Sequence, residues 1–321
     1  MPGARGALPG FTRIGLNLLQ VDTVVDFDIY VWPEKSELPV LYRSRNLPFD
    51  AGNRERLAEG DVSEILIRDD STGAVNAYVE RNLDKIVARP DIPLEEKAKL
   101  LYDTSLKIAV DLLDHPETHE NLRRSEDLVR NTISYVLLGK DSFHELLALK
   151  AYDYRTYTHS VNVCTIGLAL AEKVGFSRQT ELMDFGVGAI FHDVGKTKIP
   201  HEVLTKSGPL SDEEWEQMKL HPIVGLELLA PHIDFPKDSR AIVLQHHERL
   251  DGHGYPEGRR GEDIHPFAKV TALVDVFDAL TSRRPYKDAV DSYPALQIMK
   301  EEVGDHFSDD YFKEFVKLMG E

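Results

Sequence analysis

From Leu94 to its end the chain repeats apolar residues three and four positions apart, the spacing that gathers them on one side of an α-helix. Leu94–Leu113 and Leu122–Leu138 carry this pattern first, with His115-Pro116 breaking it between them. Helices of ordinary length are then predicted over Thr158–Val174, Gln179–His192, Asp212–Leu229, Ser239–His247, Pro266–Leu280 and Ser308–Leu318. Gly and Pro clusters at Val194–Pro200, Asp251–Gly261 and Arg284–Tyr286 mark the loops between them. Upstream the texture differs. Thr23–Trp32, Leu38–Tyr42 and Glu64–Ile67 read as strands and Asn53–Glu59 as a short helix, so the expected fold class is mainly α with a small N-terminal α/β domain.

At 321 residues and 42% hydrophobic content, two domains with real cores are expected. A single cysteine, Cys164, rules out an intrachain disulfide framework or thiolate zinc site and suits a reducing compartment. The N-terminus shows no apolar run before a small-residue cleavage site, and no stretch is long and apolar enough for a membrane. A cytoplasmic protein is the expectation. The formal charge of -17 argues against DNA, RNA or acidic lipid as partners, because each would be repelled at long range. A small anionic substrate remains compatible, provided metals or a few lysines and arginines reverse the field inside one pocket.

The chemistry concentrates in the helical part. Of thirteen histidines, the informative ones are His159, the His192-Asp193 pair, His221 and the His246-His247 pair, joined by Asp275. Imidazole and carboxylate are the ligands expected around iron, manganese, zinc or nickel when thiolate is lacking. Asp193 follows His192 where a helix runs into the Gly195 turn, and His246 and His247 stand about 100° apart on a helix, so each can reach a different ion of a close pair. Asp275 lies within the apolar run Val270-Thr-Ala-Leu-Val-Asp-Val-Phe, where a buried unpaired carboxylate is costly and a cation would relieve that cost. Taken singly, each has a plainer explanation: a core histidine, a helix-start residue before Pro222, a solvated pair, a cap. Chance rarely supplies all of them together. No Walker-type loop or Gly-x-Ser-x-Gly elbow is present, and Cys164, five residues after His159, falls on a different helix face and reads as a buried thiol.

Phe191-His-Asp-Val-Gly-Lys-Thr-Lys-Ile-Pro200 resembles the signature of the HD superfamily. His246-His-Glu-Arg-Leu-Asp-Gly-His-Gly-Tyr-Pro256, Val274-Asp-Val-Phe-Asp-Ala-Leu-Thr-Ser282 and Arg284-Pro-Tyr-Lys287 are similar to its HD-GYP branch. The match spans roughly residues 145 to 320, giving an expected division into a regulatory or interaction domain at 1–92, a helical linker region at 93–140 and an all-helical HD-type domain at 141–321.

The resemblance implies a cyclic di-GMP phosphodiesterase yielding pGpG and, with a second cut, GMP. It also implies that His159, His192, Asp193, His221, His246, His247 and Asp275 hold two divalent ions, iron or manganese first and nickel or zinc next, with Asp193 bridging. Family members with a third metal carry a Glu one turn before the first His, where this chain has Arg155. By the same resemblance Lys196 neutralises the phosphate and acts with Asp193 in catalysis, Arg284 and Lys287 hold the second phosphate or a guanine edge, and Tyr255 shapes the pocket wall. A cyclic di-GMP receptor with little turnover, signalling through the N-terminal domain, is the competing reading, and related cyclic dinucleotides also stay open. The N-terminal domain itself reads as a sensor, a homodimer surface or a partner-docking module.

Overall fold

The computed structural model describes residues 8–33, 35–150, 155–283, 289–302 and 306–320, and the chain separates into two compact units meeting between Leu100 and Leu101. In the first unit, strands β1 (Phe11–Gly15), β2 (Thr23–Val25), β3 (Ile29–Val31), β4 (Val40–Arg43) and β5 (Leu47–Phe49) precede α1 (Ala51–Glu59). Then come β6 (Glu64–Arg68), α2 (Thr72–Arg81) and α3 (Leu83–Ala88). An antiparallel sheet runs in the order β1-β6-β3-β4, and β2 pairs with β5 in a second, two-stranded ladder. Phe27, Ile29, Phe49, Ile65, Ile67, Tyr78 and Ile86 form its core.

The strand expected over Thr23–Trp32 is two strands in two different sheets. The break falls at Asp26-Phe27-Asp28. Phe27 is buried at 1%, while Asp26 pairs with Arg81 at 2.7 Å and Asp28 accepts the Arg45 backbone N–H at 2.7 Å. Burying the ring between these two anchored aspartates turns the chain out of one ladder and into the other.

In the second unit the regular elements among the described residues are helices, joined by turns and loops. It takes in the later turns of α4 (Leu94–Asp114), then α5 (His119–Val136), α6 (Lys140–Ala148), α7 (Thr156–Lys173), α8 (Gln179–Phe191), α9 (His201–Leu204) and α10 (Asp212–Met218). It continues through α11 (His221–Leu229), α12 (Lys237–Gln245), α13 (Pro266–Thr281), α14 (Ser292–Glu302) and α15 (Asp309–Gly320). Among the described residues no helix is long and apolar enough to cross a membrane.

Helix α7 is the axis of this unit. Every residue from Thr158 to Ala171 is buried, because α8, α13, α5 and α15 pack around it. Such all-round burial explains why its apolar residues show little one-sided pattern in the sequence. The single helix expected over Asp212–Leu229 is instead α10 and α11, separated at Lys219-Leu220. Pro222 is the cause: it lacks the N–H that would donate to the carbonyl four residues back, so it is tolerated in a first turn and not mid-helix. The interruption makes His221 the first residue of a helix.

Candidate metal centre

Five segments deliver the seven candidate ligands. His159 lies in the first turn of α7, His192 caps the end of α8 with Asp193 next in line, His221 opens α11, His246 caps α12 with His247 following, and Asp275 sits within α13. A 3-10 turn over Val194–Lys198 follows Asp193 and lies flat against the start of α11. Only glycine permits that approach: a Cβ on Gly195 would stand 1.9 Å from the His221 carbonyl oxygen.

The imidazoles are oriented from behind. His192 Nδ1 meets the Ala189 carbonyl at 2.7 Å, His221 Nδ1 the Met218 carbonyl at 2.8 Å, and His246 Nδ1 the Ile242 and Val243 carbonyls at 3.1 Å each. A carbonyl can only accept, so these Nδ1 atoms carry the protons and the Nε2 atoms present lone pairs. His159 is oriented the same way by a carboxylate, its Nδ1 lying 2.8 Å from Asp278 Oδ2.

The lone pairs then converge. His159 Nε2 and His192 Nε2 are 3.2 Å apart, and so are His221 Nε2 and His246 Nε2. Burial pushes the pKa of His192 down, and that of His221 down to about 3, so each of these two rings turns a lone pair toward its neighbour. Two facing lone pairs in a dry interior repel unless a cation lies between them.

Asp193 completes the arrangement with its two oxygens. Oδ2 lies 3.5 Å from His159 Nε2 and 3.4 Å from His192 Nε2, while Oδ1 lies 3.4 Å from His221 Nε2 and 3.7 Å from His246 Nε2. The side chain is 1% exposed, and Oδ1 has no hydrogen-bond partner. Burial favours its neutral form, but Lys196, whose Nζ is 2.5 Å from Oδ2, and the surrounding imidazoles overcome this and hold the carboxyl well below the usual range. Asp275 is likewise kept ionised despite burial: its Oδ1 is 3.1 Å from His159 Nε2 and its Oδ2 3.8 Å from His247 Nδ1. The ligand atoms thus fall into two adjoining groups, His159/His192/Asp275 and Asp193/His221/His246/His247, each spanning no more than 4.8 Å. An orphaned buried carboxylate oxygen and two pairs of facing imidazole nitrogens fit bound divalent cations.

The site opens on one side. His247 and Asp275 side chains are 23% and 12% exposed, whereas the other five candidates are at 0–1%. They face a recess of about 380 Å³ that also takes in Trp215, Lys219, Tyr255 and Phe307. Tyr255 stacks on the His247 ring at 4.7 Å and 27°, and its backbone N–H donates to the His247 carbonyl at 3.1 Å. Burial raises the pKa of its hydroxyl, which therefore stays a donor. Glu248 anchors the loop from beneath, accepting the backbone N–H groups of Glu257 at 2.7 Å and Arg259 at 2.9 Å. Arg284 and Lys287 lie outside the described residues.

Several contributors escaped the sequence reading. Asp278, fully buried, accepts from His159 Nδ1 and from Asn162 Nδ2 at 3.0 Å and pairs with Lys150 at 2.9 Å. Its position one turn beyond Asp275, in the same apolar helix, was the available signal. Lys150, Asn162 and Glu248 lie far apart in sequence and carry no such mark.

A family model described as HD domain matches residues 143–310, about half of the chain. A cyclic di-GMP phosphodiesterase of Pseudomonas aeruginosa is 39% identical over 204 residues, covering 61% of this chain and 47% of its own length. A 3'3'-cGAMP-specific phosphodiesterase of Vibrio cholerae is 30% identical over 281 residues, covering 85% of this chain and 50% of that protein. The chain thus spans about half the length of these two curated relatives. A solved structure of an HDG"Y"P protein from Bdellovibrio bacteriovorus superposes with a TM-score of 0.69 at 20% identity, covering 97% of this chain and 100% of that one, and shows the shared fold. The chain belongs to the HD domain family.

Proposed function

We propose that this chain is a metal-dependent phosphodiesterase that opens cyclic di-GMP to linear pGpG, with GMP as the product of a second cut. The observation that carries the reading is Asp193, whose two oxygens face two separate sets of imidazole nitrogens, as a carboxylate bridging a pair of cations would. Relatives named as cyclic di-GMP and 3'3'-cGAMP phosphodiesterases support the substrate class.

His159, His192 and Asp275 would hold one divalent ion and His221, His246 and His247 the other, with Asp193 shared. Their donor set suits iron or manganese first and nickel or zinc next. Two such ions supply Lewis acidity, acidifying water and drawing negative charge off the phosphodiester. The chain does the rest. Lys196 brings a cation beside Asp193, where its ammonium group would meet a phosphate oxygen held at the centre. Tyr255 walls the recess and offers a hydroxyl proton. Water adds across a P–O3′ bond, the phosphate stays on the 5′ oxygen, and the released 3′ oxygen takes a proton. Arg284 and Lys287 we assign to the second phosphate or a guanine edge.

Residues 1–92 we assign a regulatory or interaction role, either homodimerisation or partner docking, since the edge strand β4 exposes Val40 and Leu41. The single buried cysteine suits a reducing cytoplasm.

Purified protein loaded anaerobically with iron or manganese is to be incubated with cyclic di-GMP and the products separated by chromatography. The expected result is pGpG from wild type and none from His192→Ala. Saturable binding without turnover, unchanged in His192→Ala, would make the protein a receptor instead.

A further inference from the structure

The metal centre accounts for phosphate chemistry but not for how the rest of a dinucleotide is held. Its mouth is set by His247 and Asp275, the most exposed of the seven candidate ligands. Facing the same recess is Trp215, on the short helix α10, with its side chain 45% exposed. Its ring meets Tyr255 edge-on, at 6.0 Å and 79°, and Tyr255 in turn stacks on His247. A ladder of three rings therefore runs outward from a metal-site imidazole to an indole that presents its surface to solvent. Tryptophan is ordinarily well buried, so a half-exposed one beside a polar recess calls for a partner.

α10 places it there by local chemistry. Ser211 and Glu214 form a reciprocal cap at its start, Ser211 Oγ accepting from the Glu214 N–H at 3.3 Å and the Glu214 carboxylate accepting from the Ser211 N–H at 2.6 Å. Trp215 follows directly, and Lys219, one turn later, lines the same recess. The recess thus combines a flat apolar face, the Lys219 ammonium, which is shared with Glu216 at 2.6 Å, and the metal-site opening, which matches a nucleobase attached to a phosphodiester.

We propose that Trp215 is the stacking platform for one base of the cyclic dinucleotide whose phosphate reaches the metal centre. The inference rests on the phosphodiesterase reading above. Base stacking on an aromatic side chain depends on the flat π-face and tolerates any base, so Trp215 sets affinity for dinucleotides and does not choose guanine over adenine.

Three proteins decide it: wild type, Trp215→Phe and Trp215→Ala, each checked for fold by circular dichroism. For cyclic di-GMP, Trp215→Ala is expected to raise KM roughly tenfold or more while kcat changes little, and Trp215→Phe to restore most of the affinity. Hydrolysis of glycerophosphoethanolamine, a diester with neither a nucleobase nor an aromatic ring, should respond far less. Affinity for the bis-phosphorothioate analogue of cyclic di-GMP, which resists cleavage, should fall in Trp215→Ala by the same factor as KM rises. An unchanged affinity in Trp215→Ala, or an equal loss with both diesters, would overturn the platform. If wild type cleaves neither diester the phosphodiesterase reading fails by itself, and the analogue titration still decides whether Trp215 carries a base.

Discussion

Asp278 accepts a hydrogen bond from His159 Nδ1 at 2.8 Å, from one helical turn beyond Asp275, whose own Oδ1 is 3.1 Å from the Nε2 of the same ring. One imidazole is thereby clamped between two carboxylates of α13, one positioning it and one sharing the metal site. The positioning carboxylate is itself neutralised by Lys150, 7% exposed and 2.9 Å away.

Replacing Asp278 with Ala should separate these two roles. Metal affinity is expected to fall about 10- to 100-fold, as for other groups that orient a metal-bound histidine. Stability should drop by about 3–5 kcal/mol, because the Lys150 ammonium is left buried without a counter-charge. Adding Lys150→Met should recover much of the stability and none of the metal affinity. Equilibrium dialysis and chemical denaturation read the two effects separately.

Gly195→Ala should cost about 1–3 kcal/mol or more, because the new methyl would collide with backbone, the His221 carbonyl oxygen, and not with a side chain that can swing away. Moving the turn away from α11 separates Asp193 from His221. Loss of bound metal is therefore expected alongside the lower melting temperature, and metal analysis that finds full occupancy would contradict this account.

Glu248→Ala removes the acceptor for two backbone N–H groups of the loop that carries Tyr255. Each lost charged hydrogen bond is worth about 1.5–3 kcal/mol. The ligands stay in place, since Glu248 touches none of the loop's partners in the metal centre through these bonds. A rise in KM with near-normal metal content is the expected signature, and steady-state kinetics with elemental analysis will show it.

Cys164 should be inert in the folded protein. Burial raises its thiol from the ordinary 9.0 to about 12, and its Sγ lies 3.5 Å from the Gly186 carbonyl. A disulfide reagent at pH 8 should label it only on unfolding. Because the folded pKa is raised, its stabilising contribution is complete below pH 9.0 and declines as pH climbs toward about 12, where only the unfolded chain readily releases the proton. Comparing the alkaline stability of wild type with that of Cys164→Ala isolates this slope.

The seven imidazole and carboxylate candidates, the helical texture after Leu94 and the HD and HD-GYP signatures were all legible from residue order, because ligand chemistry and helical periodicity are local properties of a chain. Tertiary structure decided what depends on distance. It split Thr23–Trp32 between two sheets around the buried ring of Phe27, and it broke Asp212–Leu229 at the turn that places His221. It also brought Lys150 and Asn162 onto Asp278 across more than a hundred positions, set the two oxygens of Asp193 toward two sets of nitrogens, and left Trp215 at the mouth. Burial and convergence belong to the packed chain, since no residue can be desolvated or opposed until distant segments close over it.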